Sequence, residues 1–282
     1  MTTFLQLIVV GISTGSLFGV VGMALVLVYR TTGIVNFAQG VFAVVGGLFT
    51  FELQQHMPLV PAMLGAIVLA SLLGTLTAVI AVGIRGRTTH LASLVITVGI
   101  ALLAEAVLLA AFGEVPRSYA GISEHAWDIG GVLIQPQYVL ITAVAIAAAL
   151  GLTYFLRHTI VGQALVASAD SPRAAELVGL NVRSIAVIAF AVAAALSALG
   201  GALLAPTVPV VYNADLALTI NGFAAAVFGG LASIRLALLG GYALGIVEQL
   251  VVGYVDPQYN LTIALVAMLI LIGWRSRAEL AI

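Results

Sequence analysis

Long apolar stretches separated by short polar ones dominate the pattern along this chain. Nine stretches are close to the 20 or so residues that a helix needs to cross a bilayer. The pattern predicts an all-α, polytopic membrane helix bundle of eight or nine segments, forming one domain over residues 1–282. The nine stretches are 4–29, 34–54, 59–84, 91–112, 137–156, 184–206, 215–234, 236–254 and 258–274.

Two of these stretches carry polar or helix-breaking residues inside the apolar run. "TTGIVNFAQG" places Asn36 and Gln39 at the start of 34–54, and "INGFAAAVFGG", with Asn221, follows the Pro-containing "APTVPVVYNAD". Unwound backbone at membrane depth needs protein or a water-filled path around it. We therefore interpret both as candidates for broken or re-entrant helices, so eight spans plus one re-entrant segment fit nearly as well as nine. The two stretches also resemble each other, since each has an asparagine near its start, then phenylalanine and small residues, then Gly-Gly. An inverted repeat would explain this similarity, and so would chance.

The arginines predict the orientation, because short cytoplasmic loops are enriched in basic residues. If 30–33, 85–90, 157–183 and 275–282 face the cytoplasm, nine of the ten arginines lie inside or at the inner edge. Arg117 alone lies outside, in the loop 113–136. The N-terminus is then outside and the C-terminus inside.

Composition supports lipid as the main solvent and excludes several classes of site. Hydrophobic residues make up 62% of the chain and charged residues 7%, against about 25% charged in a soluble domain. The absence of cysteine excludes disulfides and thiolate sites, and no metal site is expected from the scattered histidines. The near-neutral net charge of -1 suggests no nucleic-acid partner. Because lysine is also absent, a P-loop is excluded, so any ATP is bound by another polypeptide.

The segment "DSPRAAELVGLNVR" is the most polar part of the predicted cytoplasmic loop and reads as one short helix. Asp170 or Ser171 is suited to cap it, Pro172 to its first turn and Gly179 to its end. Two turns are unstable alone in water, so the helix packs on its own bundle, lies at the headgroups or docks into a soluble partner. The candidate residues are Asp170, Ser171, Pro172, Arg173, Ala174, Ala175, Glu176, Leu177 and Gly179.

Polar side chains within the spans are candidates for a transport path. Ser93, Thr97 and Glu105 share one face of the fourth span, where they either line a path or make interhelical contacts. Acids in spans are costly and usually face protein or water.

Two further kinds of position belong to this candidate set, and a glycine pattern stands apart from it. Glu248 has the simpler alternative of reaching the headgroups, whereas Asn36, Gln39 and Asn221 suit a zwitterion or interrupted backbone equally. Glycines four residues apart recur in the first and eighth spans and indicate close helix packing, within the chain or between subunits. They are Gly11, Gly15, Gly19, Gly241 and Gly245.

Three collinear segments carry a family resemblance that covers essentially the whole chain. "TTGIVNFAQG", "VGQALVASADSPRAAELVGLNVRSI" and "FAAAVFGGLASIRLALLGGYALGIVEQ" resemble the inner-membrane permease subunits of branched-chain amino acid ABC importers. Ala232 and Arg235 stand where that family more often has glycine or a small residue.

The resemblance implies a non-catalytic multi-pass subunit of a bacterial inner membrane that binds no cofactor itself. It would pair with a second, related permease, two cytoplasmic ATPase subunits that hold ATP and Mg²⁺, and an external solute-binding protein. It implies that 170–180 is the coupling helix, and that leucine, isoleucine and valine are substrates, with urea or short amides as the alternative. The residues alone leave an ion- or proton-coupled transporter or channel open, with Glu105 or Glu248 as its acid.

Overall fold

The computed structural model describes residues 2–82, 89–122 and 126–279, and within these ranges it consists mainly of α-helices. The helices are α1 (Thr2–Thr32), α2 (Gln39–Leu53), α3 (Leu59–Val82), α4 (His90–Phe112), α5 (Pro136–His158), α6 (Ile160–Asp170), α7 (Pro172–Leu177), α8 (Val182–Leu204), α9 (Asp215–Phe228), α10 (Ile234–Tyr254) and α11 (Asn260–Glu279). The predicted fold class, an all-α membrane bundle, is confirmed.

Six of the described helices have the length and apolarity to cross a membrane: α1, α3, α4, α5, α8 and α10. The described helices at the two interrupted stretches are shorter, with 15 residues in α2 and 14 in α9. Helix α6, with 11 residues, has no counterpart among the nine predicted stretches. Helix α11 has 20 residues and covers most of the predicted stretch 258–274.

The outer helices turn large apolar side chains outward and small ones inward. Along α3, Ala62, Ala66 and Ala70 are fully buried, whereas Leu64 and Leu72 are about 60% exposed. A surface of large exposed leucines is favourable only in apolar surroundings. The small residues on the inner side let the helices approach closely. The distribution matches a bundle whose outer solvent is lipid.

Helix α1 is the central element, and its glycine face packs on α10. A Cβ atom at Gly15 would lie 2.6 Å from the carbonyl oxygen of Gly241, and one at Gly245 would lie 2.4 Å from that of Gly11. These contacts leave no room for any side chain. The glycine pattern therefore serves helix packing within this chain.

The loop 113–136 contains a feature that the sequence did not predict, a β-hairpin of Trp127–Ile129 and Val132–Ile134. Gln6 at the start of α1 holds the hairpin by donating to the Leu133 carbonyl at 2.8 Å and accepting from its N–H at 2.9 Å. Tyr119 donates its hydroxyl proton to the Ala202 carbonyl, and burial raises the pKa of that phenol. The hairpin thus marks one end of the bundle, opposite the end that carries α6 and α7.

Helices α2 and α9 begin beside each other in the middle of the bundle. Helix α2 runs in the direction of α8, because Gln39 bonds Ala193 while Gly47 lies beside Gly201. Ala193 is eleven residues into α8, or about 16 Å at 1.5 Å per residue. A Cβ atom at Gly40 would lie 2.0 Å from the carbonyl oxygen of Asp215, the first residue of α9. This meeting point of the two helix starts is called the α2–α9 junction below.

Candidate functional site

The polar segment that the sequence singled out forms a two-helix unit at one end of the bundle. Helix α6 ends at Asp170 and α7 covers Pro172–Leu177. The sequence predicted only the second helix, because the apolar α6 sequence has no polar pattern to separate it from the neighbouring spans. We call residues 160–177 the α6–α7 unit.

Helix α7 has a capping residue at its start and a glycine after its end, as the sequence predicted. The Ser171 hydroxyl accepts from the Ala174 N–H at 3.3 Å, so Ser171, rather than Asp170, is the N-cap. At the other end Gly179 has φ +86° and the Leu180 N–H reaches back to the Ala175 carbonyl at 3.0 Å. That pairing is a Schellman stop, which fixes the length of the helix.

Asp170 has a different partner from the one considered in the sequence. Its carboxylate lies 3.5 Å from the Arg30 guanidinium at the end of α1. The pair therefore joins the α6–α7 unit to the central helix. Both side chains are partly exposed, at 38% for Arg30 and 70% for Asp170, so the ion pair is weak.

The exposed side of α7 is apolar at its C-terminal end. Leu177 is 84% exposed and Val178 77%, whereas Ala175 is 3% exposed. Arg173, Ala174 and Glu176 are exposed as well. Ala175 therefore attaches α7 to its own bundle, and a partner would contact Leu177 and Val178.

The second candidate site is the α2–α9 junction, where Asn36 and Gln39 are fully buried. The Asn36 amide donates to the Gln39 side-chain oxygen at 2.9 Å, and Asn36 accepts from the Ala38 N–H at 3.1 Å. The Gln39 amide donates to the Ser197 hydroxyl at 2.7 Å and to the Ala193 carbonyl at 2.9 Å. Asn36 thus satisfies part of the interrupted backbone, and Gln39 ties the junction to α8.

Two threonines from other helices bond the backbone of the junction. Thr97 of α4 accepts from the Phe37 N–H at 3.2 Å. Thr219 of α9 accepts from the Gly40 N–H at 2.9 Å and donates to the Phe37 carbonyl at 3.2 Å. Backbone that lacks helical partners is therefore satisfied by side chains from two other helices.

Ser197 and Thr219 belong to this network and were not selected from the sequence. Both lie among small and apolar residues that read as ordinary span sequence. Only a weak indication of their role is present in the sequence. Each is a hydroxyl residue on the buried face of a helix, and such a hydroxyl more often bonds the backbone of its own helix.

The polar face of α4 packs against protein along part of its length. Ser93 is buried and donates to the Ala81 carbonyl of α3 at 2.8 Å, so it makes an interhelical contact. Glu105, two turns beyond Thr97, is half-buried and lies within electrostatic range of Asp215. Asp215 is only 5% exposed and was not among the predicted residues.

The remaining predicted path residues lie apart from this junction network. Glu248 of α10 is 3% exposed, which contradicts the simple alternative that it reaches the headgroups. It lies on the helix that carries the Gly241–Gly245 packing face. Asn221 of α9 is likewise 3% exposed, next to Gly222, whose Cβ position faces Val21 of α1.

Comparison with known proteins gives a match along nearly the whole chain. A family model described as "Branched-chain amino acid transport system / permease component" matches residues 7–272. The "High-affinity branched-chain amino acid transport system permease protein LivH" of Escherichia coli (strain K12) is 27% identical over 95% of this chain and 92% of its own length. The corresponding protein BraD of Pseudomonas aeruginosa is 29% identical, covering 96% and 94%.

More distant matches extend the same picture. The "probable branched-chain amino acid transport permease protein LivH" of Methanocaldococcus jannaschii is 28% identical over 87% of this chain and 80% of its own. Among solved structures, PsaBC from Streptococcus pneumoniae in complex with Fab superposes with a TM-score of 0.53. That match covers 96% of this chain and 91% of the other at 12% identity, so it supports the fold alone.

Proposed function

Because the chain belongs to the family of branched-chain amino acid transport permease components, we propose that it is a membrane subunit of an ABC importer for leucine, isoleucine and valine. It catalyses no covalent reaction itself. ATP and Mg²⁺ would be held by two ATPase subunits, and a second related permease and an external binding protein would complete the complex. The membrane would be the bacterial inner membrane.

The observation that carries this proposal is the α6–α7 unit. Its short helix is fixed by a cap at each end and anchored through Ala175, and it turns Leu177 and Val178 outward. Large exposed apolar residues beside charged ones are typical of a protein interaction site. A rigid, capped helix joined to the central span can transmit a partner's movement to the bundle.

A cysteine crosslink tests the docking directly, because the chain has no cysteine of its own. Leu177→Cys or Val178→Cys would be combined with single cysteines along the groove of the ATPase partner and oxidised with and without ATP. We expect crosslinks from both positions that change with nucleotide. Ala175→Cys is the matched control, since its buried side chain should give none. Absence of a crosslink from Leu177→Cys in a correctly assembled complex would contradict docking.

The predicted orientation places the α6–α7 unit in the cytoplasm and the hairpin outside. With that orientation, α2 runs outward and α9 inward from the middle of the membrane. We propose that the α2–α9 junction is the hinge around which the path opens, with Asn36, Gln39 and Thr97 exchanging their bonds during transport. Broken helices at the bilayer midplane serve this purpose in other transporters.

One observation favours a second candidate, a proton- or ion-coupled transporter. The half-buried Glu105 lies within electrostatic range of the buried Asp215, and acids within membrane segments are typical of proton relays. Vesicles that contain this chain alone distinguish the two. We expect no leucine uptake under a proton gradient and uptake only with ATPase, binding protein and ATP present. Competition by urea or acetamide against leucine would then test the alternative substrate class.

A further inference from the structure

Three arginines from three helix ends line one crevice on the end of the bundle that carries the α6–α7 unit. Arg30 lies in the last turn of α1, Arg157 in the last turn of α5 and Arg235 in the first turn of α10. The crevice measures about 400 Å³, and Thr153 and Ser233 add hydroxyl groups to its wall. We propose that this crevice binds a phosphate group, in the membrane the headgroup of an anionic phospholipid.

The charge of the lining supports an anion. The lining residues include three guanidinium groups and no acid. Asp170 lies outside the crevice and pairs with Arg30 at 3.5 Å. Its negative charge offsets one of the three arginines, so the crevice keeps a net charge of about two positive units. Guanidinium groups bind phosphate oxygens in pairs of parallel hydrogen bonds. Basic pockets between helices at a membrane surface are suited to anionic headgroups.

The helix that supplies Arg235 adds to the same field. Ser233 caps α10, a helix of 21 residues, by accepting from the Leu236 N–H at 3.3 Å. Ser233 and Ile234 both line the crevice, so the positive end of the α10 dipole is directed at it. An anion there is stabilised by the dipole as well as by the arginines.

The rest of the lining explains why a lipid suits the site. Leu156, Val166 and Ile234 form an apolar wall beside the arginines. A phospholipid presents a phosphate next to hydrocarbon, and therefore matches both parts of the wall. The phosphate would also compete with Asp170 for Arg30. Since that ion pair is exposed and weak, binding would loosen the contact between α1 and the α6–α7 unit.

Native mass spectrometry of the full chain in neutral detergent tests the proposal. We expect phosphatidylglycerol to be retained at least tenfold better than phosphatidylcholine, and less at high salt. Arg157→Gln and Arg235→Gln should each weaken retention about fivefold, and Arg157→Lys less. Arg173→Gln, an exposed arginine at the same end but outside the crevice, is the matched control. Equal retention of both lipids, or an equal loss in the control, would overturn the site.

A second measurement on the unaltered chain keeps the test valid if a variant does not fold. Glycerol phosphate and inorganic phosphate would be titrated against the complex with phosphatidylglycerol. Displacement at millimolar concentrations supports a phosphate site and, if phosphate alone raises the thermal midpoint as much as the lipid does, identifies free phosphate as a ligand. No displacement by either compound would show that the lipid binds through its tails and would overturn the proposal.

Discussion

The residues of the α2–α9 junction show how an interrupted helix is held inside an apolar bundle. Gln39 makes two hydrogen bonds to α8, and Thr219 both accepts from and donates to the interrupted backbone. A buried polar group without a partner costs about 1–3 kcal/mol. Each bond in this network therefore protects the junction against that cost, and Gln39, Thr97 and Thr219 each link it to another helix.

Gly40 gives a test at this scale. Its added Cβ would lie 2.0 Å from the Asp215 carbonyl oxygen, which is backbone and cannot move aside alone. Gly40→Ala should therefore cost about 1–3 kcal/mol of stability and abolish uptake. Gly99→Ala is the control, because a Cβ there meets nothing within 4 Å. Thermal unfolding in detergent compares them, and equal midpoints would show that the junction is not tightly packed.

Gln39 and Ser197 give a second test, by a double-mutant cycle. Their side chains bond at 2.7 Å inside the bundle, so removing either deletes this bond from the other. We expect Gln39→Ala and Ser197→Ala to be non-additive by about 0.5–3 kcal/mol. Unfolding of the two single variants and the double variant measures this coupling. Strict additivity would mean that the two side chains do not interact in solution.

At the scale of elements, the stops of α7 determine where its apolar end lies. Gly179 adopts φ +86° with open space around its Cβ position, so the cost of a side chain there comes from the backbone alone. Because the Schellman turn sets the end of the helix, it also sets the positions of Leu177 and Val178. Hydrogen bonds therefore define both ends of this helix, although it has only six residues.

Gly179→Ala should therefore weaken coupling more than it weakens the fold. We expect about 1 kcal/mol of local destabilisation and a several-fold fall in substrate-stimulated ATP hydrolysis by the reconstituted complex, with little change in the thermal midpoint. Gly151→Ala in α5 also meets open space, without a positive φ, and should leave hydrolysis unchanged. Equal effects of the two substitutions on ATP hydrolysis would show that the glycine at the end of α7 has no special role in coupling.

At the scale of the whole molecule, close contact between α1 and α10 organises the bundle. Gly11, Gly15 and Gly19 meet Gly241 and Gly245 backbone to backbone. In lipid, helix association depends on such packing, because the surrounding tails are as apolar as the side chains. The functional segments adjoin this pair: the junction follows α1, and Arg30 in the last turn of α1 forms a weak ion pair with Asp170 of the α6–α7 unit.

Gly245→Ala tests this organisation. Its Cβ would meet the Gly11 carbonyl oxygen at 2.4 Å, whereas a Cβ at Gly253 meets the flexible Leu7 side chain at 2.5 Å. We expect Gly245→Ala to lower the thermal midpoint by several degrees, and Gly253→Ala to have a clearly smaller effect because Leu7 can change rotamer. The reverse order would show that α1 and α10 do not pack as described.

The sequence alone determined the membrane class, both stops of α7 and the two interrupted segments. Each depends on local chemistry: apolar length, a capping serine, a glycine with positive φ, and polar residues within an apolar run. The tertiary structure decided what the sequence left open. It assigned Asp170 to Arg30, placed the glycines inside the chain, buried Glu248 and brought Ser197 and Thr219 to Gln39 and Gly40. Those contacts join residues far apart in sequence, so helix packing alone establishes them.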